Sequence, residues 1–192
     1  MLIKTITLVL MAIFYICYFT KMIRQKKQGI ETDQLGKDKE GFIKLIEIAL
    51  KLMTYLTPMI QVLSILSSKT EKCTTLHVAG ITVTAFGVTA FILSVMQMKD
   101  NWRAGVQRKD YTNLVTDGIY SISRNPAFLG FDLMYIGILM TFFNWYLCLA
   151  SVIAVILFHL QIVNVEEDFL IERFGDEYIA YRKKVCRYLG RK

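Results

Sequence analysis

Proline is nearly absent: Pro58 and Pro126 are the only two in 192 residues. There is also no internal repeat and no low-complexity tract, so nothing marks a linker and a soluble second domain is excluded. Cysteine is scarce too. None of the four sits at a metal-site spacing, and no metal centre is expected. Cys73 and Cys148 both fall near the outer ends of apolar blocks, where a disulfide in an oxidising compartment and two unpaired thiols are both open readings. No G-x-G-x-x-G stretch occurs, so no motif marks a soluble Rossmann-type dinucleotide site.

What the chain has in abundance is apolar residues, and they come in blocks. Hydrophobic residues make up 54% of it and the mean hydropathy is +0.41, which points away from an ordinary soluble protein. Five blocks stand out, at about Ile3–Thr20, Leu45–Leu66, Leu76–Met98, Ala127–Asn144 and Tyr146–Val165. Each is close to the roughly 20 residues a helix needs to cross the hydrocarbon core. The first carries Lys4 and is followed by KMIRQKK rather than a small-residue cleavage site, so it reads as a retained span and not a signal peptide. The expected fold is all-α: an integral membrane protein of about five transmembrane helices in a single domain, 1–192, with three spans in 1–98 and two more in 99–192.

Loop charges orient the spans. Lys21–Lys44 holds seven Lys/Arg, Ser67–Thr75 only Lys69 and Lys72, Lys99–Arg124 five, the turn Phe143–Trp145 none, and the tail from Glu166 seven. This alternation predicts the N-terminus outside and the C-terminus in the cytoplasm. It also assigns the net charge of +7 to anionic lipid beside basic inner loops, with no nucleic-acid partner expected. Lys44, Glu47 and Lys51 read as a charge set snorkelling at the inner end of the second span. Gly80, Ala85, Gly87 and Ala90 allow close helix packing in the third. The polar stretch Lys21–Gly41 reads as a loop or surface helix without catalytic character.

The turn at Asn144 makes the last two spans a helical hairpin, which brings two polar segments together on the inner side. One is GIYSISRNPAFLGFD, Gly118–Asp132; the other begins at Glu166-Glu167-Asp168. Pro126 at a first helical position with Asn125 as N-cap explains a helix start. It does not explain Tyr120, Arg124 or Asp132. Asp132 lies two turns inside the span, where a carboxylate is costly unless it meets a partner or water. His159 is seven residues before Glu166, on one helix face with it.

These residues resemble the membrane-embedded isoprenylcysteine carboxyl methyltransferases and related phospholipid methyltransferases. The resemblance rests on Gly118-Ile119-Tyr120, on Arg124-Asn125-Pro126 with Gly130, and on EEDFLIERFGDEYIAYRKKVCR, Glu166–Arg187. NWRAGV, Asn101–Val106, is similar to a Trp-Arg motif upstream. Together the match covers nearly half the chain. Asn125 stands where the family usually has histidine; asparagine does not titrate near neutrality, which argues against acid–base work there.

The resemblance implies that 99–192 is a cofactor-binding catalytic part using S-adenosyl-L-methionine. Glu166 or Glu167 would meet the ammonium or ribose, and Arg124 or Arg187 the carboxylate. Tyr120, Tyr178 and Tyr181 would pack the adenine, with Asn125 and His159 nearby. It further implies Arg103, Arg124 and Asn125 as catalytic residues, with Trp102, Arg103 and Asp132 facing a lipid-like or prenylated acceptor. The reaction would be carboxyl O-methylation of isoprenylcysteine type at a bacterial inner membrane, facing the cytoplasm. Alternatives are phospholipid N-methylation, with His159 or Glu166 as base, a nicotinamide-dependent membrane reductase, or a non-enzymatic scaffold. The oligomeric state is left open.

Overall fold

The computed structural model describes residues 1–37, 39–69, 74–106 and 113–192. Cys73, and with it the Cys73–Cys148 pairing, lies outside them, as do Lys72, Arg108 and Lys109 of the loop-charge pattern. The described residues form α1 (Leu2–Lys27), α2 (Gly41–Ser67), α3 (Thr75–Met98), α4 (Pro126–Thr141), α5 (Trp145–Gln161) and α6 (Glu167–Lys184). Two 3-10 turns, Lys99–Asn101 and Gly118–Ser121, and a π turn, Ile162–Glu166, complete the order.

Four helical stretches are long and apolar enough to cross a membrane: Leu2–Lys27, Gly41–Ser67, Thr75–Asn101 and the apolar part of Trp145–Lys184. The charged sequence of α6 puts it beyond the span, which α5 supplies. The remaining block, Ala127–Asn144, folds as a shorter helix than its apolar run suggests. Phe142 leaves helical geometry at φ −130°, ψ 50°, so α4 has 16 residues, or about 24 Å at ~1.5 Å per residue. Asn144 then starts α5, accepting from the Leu147 N–H at 2.9 Å and donating to Ser64 Oγ of α2 at 2.7 Å.

In lipid there is little hydrophobic drive between helices, so close packing of small residues takes its place. Gly80 and Gly87 of α3 face Gly137 and Gly130 of antiparallel α4. A Cβ on Gly87 would lie 2.6 Å from Met134 N and 2.7 Å from Gly130 O; one on Gly137 would lie 2.5 Å from Thr84 N. These are backbone atoms that cannot swing aside. The pair α3/α4 is therefore the tight axis of the bundle, and α4 packs more closely on α3 than on its hairpin partner α5. Aromatic rings tie the remaining helices to it: Phe14 of α1 stacks on Phe91 at 4.2 Å, Phe91 meets Phe131 at 5.3 Å, and Phe131 meets Phe158 of α5 at 5.1 Å.

Two expectations for the N-terminal half change. The Lys21–Gly41 stretch is neither a free loop nor a surface helix throughout. α1 runs on to Lys27, and the segment after it straps across residues 102–106. Gln34 N–H donates to Ala104 O at 2.8 Å, and Ala104 N–H donates to Thr32 O at 2.9 Å. Buried Gln25 donates to Trp102 O at 2.9 Å while accepting from Thr32 Oγ1 at 2.7 Å. Glu47 does not snorkel either. It is wholly buried, accepting from Gly36 N–H at 2.6 Å and from Gln161 Nε2 at 3.1 Å. Lys51 instead pairs with Asp33 of the strap at 2.5 Å. A carboxylate satisfied by two fixed donors can be buried where an unpaired one would have to reach water.

Candidate active site

The segment before α4 and the tail after α6 are distant in sequence but joined by backbone. Arg124 N–H donates to Cys186 O at 3.1 Å, and Gly190 N–H to Ile122 O at 2.7 Å. Pro126 occupies the first helical turn as expected, yet the Asn125 side chain makes no cap. Its Nδ2 donates to Arg187 O at 3.1 Å. With the first helical N–H removed by proline and the preceding residue pushed out of helical geometry, that amide is directed at the tail.

Side chains lock the same junction. Glu167 is buried and receives Arg187 in a fork, Nε at 2.8 Å and Nη2 at 3.0 Å, while Arg124 Nη1 lies 3.0 Å from it. Arg124 Nη1 also donates to the Tyr178 hydroxyl at 2.7 Å. Burial would raise the Glu167 carboxyl, but the Arg187 bond and the charges of Arg124, Arg187 and Arg182 outweigh it and hold the group below the usual carboxylate range. The Arg187 guanidinium is pushed up by the same bond. Such bidentate charge-assisted pairs fix geometry as well as charge.

Beside this clamp opens a cleft of about 100 Å³ that widens at its mouth, where charged and phenolic groups sit among apolar side chains. Arg103, Tyr120, Arg124, Glu166, Tyr178 and Tyr181 line it. The tyrosines are held: Tyr120 shares a 2.7 Å hydrogen bond with Ser94 Oγ, and Tyr181 donates to Tyr120 O at 2.6 Å. Burial raises the Tyr120 phenol, so it stays protonated at neutral pH. Arg124 Nε is buried and lacks an acceptor among the described residues. An unmet guanidinium N–H is costly, and a ligand anion in this cleft would satisfy it.

A second, mainly apolar cavity lies against the first, lined by Trp102, Phe128, Phe131, Phe158 and Gln161 among others. Arg103 and Gly105 border both spaces. Gly105 adopts φ +85°, and a Cβ there would lie 3.2 Å from Leu35 N of the strap, so glycine permits both the backbone turn and the approach of the strap. Arg103 donates from Nη1 to Asp100 O at 2.5 Å and Trp102 O at 2.9 Å, which places its guanidinium at the shared wall.

Of the residues expected from sequence, the cleft gathers Arg103, Tyr120, Arg124, Glu166, Tyr178 and Tyr181, and the cavity adds Trp102. Glu167 and Arg187 stand behind the cleft as its clamp, engaged with each other. Asn125 ties down the tail and lines neither space. His159 lies elsewhere, its Nδ1 sharing a 2.7 Å hydrogen bond with the Tyr188 hydroxyl. Asp132 is buried in α4, its Oδ1 without a partner among the described residues, and also lines neither space. Sequence reading gave Glu47 only a surface role and passed over Gln161; the two meet across α2 and α5. The one available signal was a glutamate at the third position of the apolar block Leu45–Leu66.

The family model described as Phospholipid methyltransferase matches residues 75–177. Among curated proteins, the chain is 39% identical over 82 residues to protein-S-isoprenylcysteine O-methyltransferase of Schizosaccharomyces pombe, covering 43% of this chain and 34% of that protein. It is 30% identical over 117 residues to the Xenopus laevis protein of that name and 29% over 117 to the human one, covering 60% of this chain and 41% of each relative. The matched region thus spans well under half the length of these relatives. The family match covers more than half of the chain, from the start of α3 into α6 just short of Tyr178, and on that ground the chain belongs to the phospholipid methyltransferase family.

Proposed function

We propose that the protein is a membrane-embedded methyltransferase that binds S-adenosyl-L-methionine in the cleft and methylates the carboxylate of a lipid-like acceptor held in the apolar cavity. The observation that carries this reading is the buried Arg124 Nε–H without an acceptor, beside a cavity wall that Arg103 shares. The residues suit the cofactor. Arg124 Nε would take its carboxylate, Glu166 its ammonium or ribose hydroxyls, and the fixed rings of Tyr120, Tyr178 and Tyr181 its adenosine.

When bound, the cofactor supplies an electrophilic methyl on a sulfonium, which an ionised oxygen displaces in line without proton transfer. The chain's work is then alignment and exclusion of water. Arg103 orients the acceptor carboxylate, already ionised at neutral pH. Glu167, committed to Arg124 and Arg187, sets the Arg124 guanidinium rather than meeting the cofactor. The apolar cavity takes the hydrocarbon chain, and the curated relatives' printed names make an isoprenylcysteine the acceptor type of choice. The loop charges support a cleft on the cytoplasmic side of a bacterial inner membrane. Phospholipid N-methylation is the second reading, favoured by the Glu166 carboxylate lining the cleft as a base for an amine.

The test is titration calorimetry of the detergent-purified protein with S-adenosyl-L-methionine and, separately, NADPH. Transfer of labelled methyl to a prenylated cysteine follows. Saturable binding of the methyl donor alone and a base-labile methyl ester are expected; NADPH binding without methyl-donor binding overturns the reading.

A further inference from the structure

We propose that Gln161, oriented by Glu47, reads a hydrogen-bond donor on the acceptor, an N–H next to the carboxylate that is methylated. This rests on the methyltransferase reading and adds a specificity-determining residue to it.

Gln161 is the last residue of α5, where the chain passes into the π turn that carries Glu166 to the cleft. It lines the apolar cavity together with Arg103. Its side chain is fully buried, and its two ends differ sharply. Nε2 donates to Glu47 Oε1 at 3.1 Å, whereas Oε1 has no donor among the described residues. The direction of the amide follows from its partner: Glu47 Oε1 accepts from the NH2 end, which turns the carbonyl end away. Glu47 cannot rotate to relieve this, because its other oxygen accepts from Gly36 N–H at 2.6 Å.

A buried amide oxygen left without a donor costs free energy. Tyr18, Thr54 and Arg103 also line the cavity and Glu166 neighbours the amide, yet none of the described residues donates to this oxygen. A ligand donor does. Arg103 at the shared wall fixes where the acceptor carboxylate sits, and the atoms next to that carboxylate then fall inside the cavity that Gln161 borders. An N–H on the adjacent carbon, as in an N-acylated amino acid, is the group that meets Oε1, while the thioether-linked hydrocarbon continues among the aromatic rings. Glu47 lies outside residues 75–177, so the positioning half of this pair comes from a part of the chain that the family match does not include.

The experiment compares two acceptors of equal chain length, N-acetyl-S-farnesylcysteine and S-farnesyl-3-mercaptopropionate, which differ by the N–H arm. The protein used is the full chain in detergent, and the readout is the ratio of their kcat/KM values. A site that binds a polar group through buried partners discriminates against the analogue lacking it. The expected preference is about tenfold or more for the N–H acceptor in the wild type, near unity in Gln161→Met, and intermediate in Glu47→Gln, where the amide direction is no longer dictated. A merely structural role would lower both rates alike and leave the ratio intact. A wild-type ratio near unity overturns the proposal, as does an undiminished ratio in Gln161→Met. If that variant does not fold, an undiminished ratio in Glu47→Gln overturns it instead. Bound methyl donor with neither acceptor methylated overturns this inference and the carboxylate acceptor together. Absence of methyl-donor binding overturns the methyltransferase reading beneath them.

Discussion

Replacing Glu167 with glutamine isolates what the clamp contributes, because the side chain keeps its shape and loses only its charge. In the structure one buried carboxylate receives the Arg187 fork at 2.8 and 3.0 Å and Arg124 at 3.0 Å. Its loss leaves two cations with unequal remedies. The Arg187 side chain is 30% exposed and can turn to water; that of Arg124, at 4%, cannot. Breaking a buried ion pair by removing one partner costs about 3–5 kcal/mol. Since only Arg124 stays trapped, the low end applies, roughly 3 kcal/mol, with the exposed half of the network adding little. Unfolding of Glu167→Gln in mixed micelles with SDS should show that loss. Trypsin should cut the 185–192 tail faster, because Arg187 and its backbone carbonyl, which Asn125 holds, are released together. A destabilisation below about 0.5 kcal/mol, the range of ordinary surface changes, would refute the claim that one carboxylate holds Arg124 and the tail in place.

The same clamp sets a pH dependence. The Glu167 folded value lies below its ordinary 4.5, so its contribution is fully present above pH 4.5 and is lost as pH falls through the depressed value. The wild type should show an acid limb below that pH in a stability profile, and Glu167→Gln should lack its share of it. Gly87→Ala forces a Cβ to 2.6 Å from Met134 N and 2.7 Å from Gly130 O, and should cost about 1–3 kcal/mol by SDS unfolding, whereas wild-type stability would contradict the close α3/α4 axis. Arg103→Ala should reduce kcat with little change in methyl-donor affinity by calorimetry; a loss of affinity alone would move Arg103 from the acceptor to the cofactor. Asn125→Ala should loosen the tail by about 1 kcal/mol in proteolysis without altering cofactor affinity, since among the described residues the side chain bonds to the Arg187 carbonyl and lines neither cavity.

The contrast between Asn125 and Arg124 shows where sequence reading stops. Pro126 dictates a helix start through its fixed φ and missing N–H, so that feature is legible locally. Whether the preceding amide caps that helix or reaches another segment depends on what lies opposite, and here the tail carbonyl of Arg187 lies there. Glu166 and Glu167 are adjacent in sequence and were interchangeable on that evidence. The π turn and the start of α6 rotate them apart, one to the cleft and the other to the arginines. His159 shares a helical face with Glu166 on ideal 3.6-residue geometry, but the π turn between them spoils that register, and Tyr188 takes the imidazole.

The sequence by itself determined the all-helical membrane class, because block length and hydropathy are one-dimensional properties that a bilayer reads directly. It also determined the two motifs that border the cleft, since their spacing survives along the chain. Only the tertiary structure decided that Glu47 is buried rather than snorkelling, that a polar N-terminal strap closes over residues 102–106, and that Gln161 faces the apolar cavity with its oxygen unmet among the described residues. Those outcomes depend on donors and backbone supplied from elsewhere in the chain: Gly36, Gln161 and Ala104 are each brought by packing to a partner that no local pattern names.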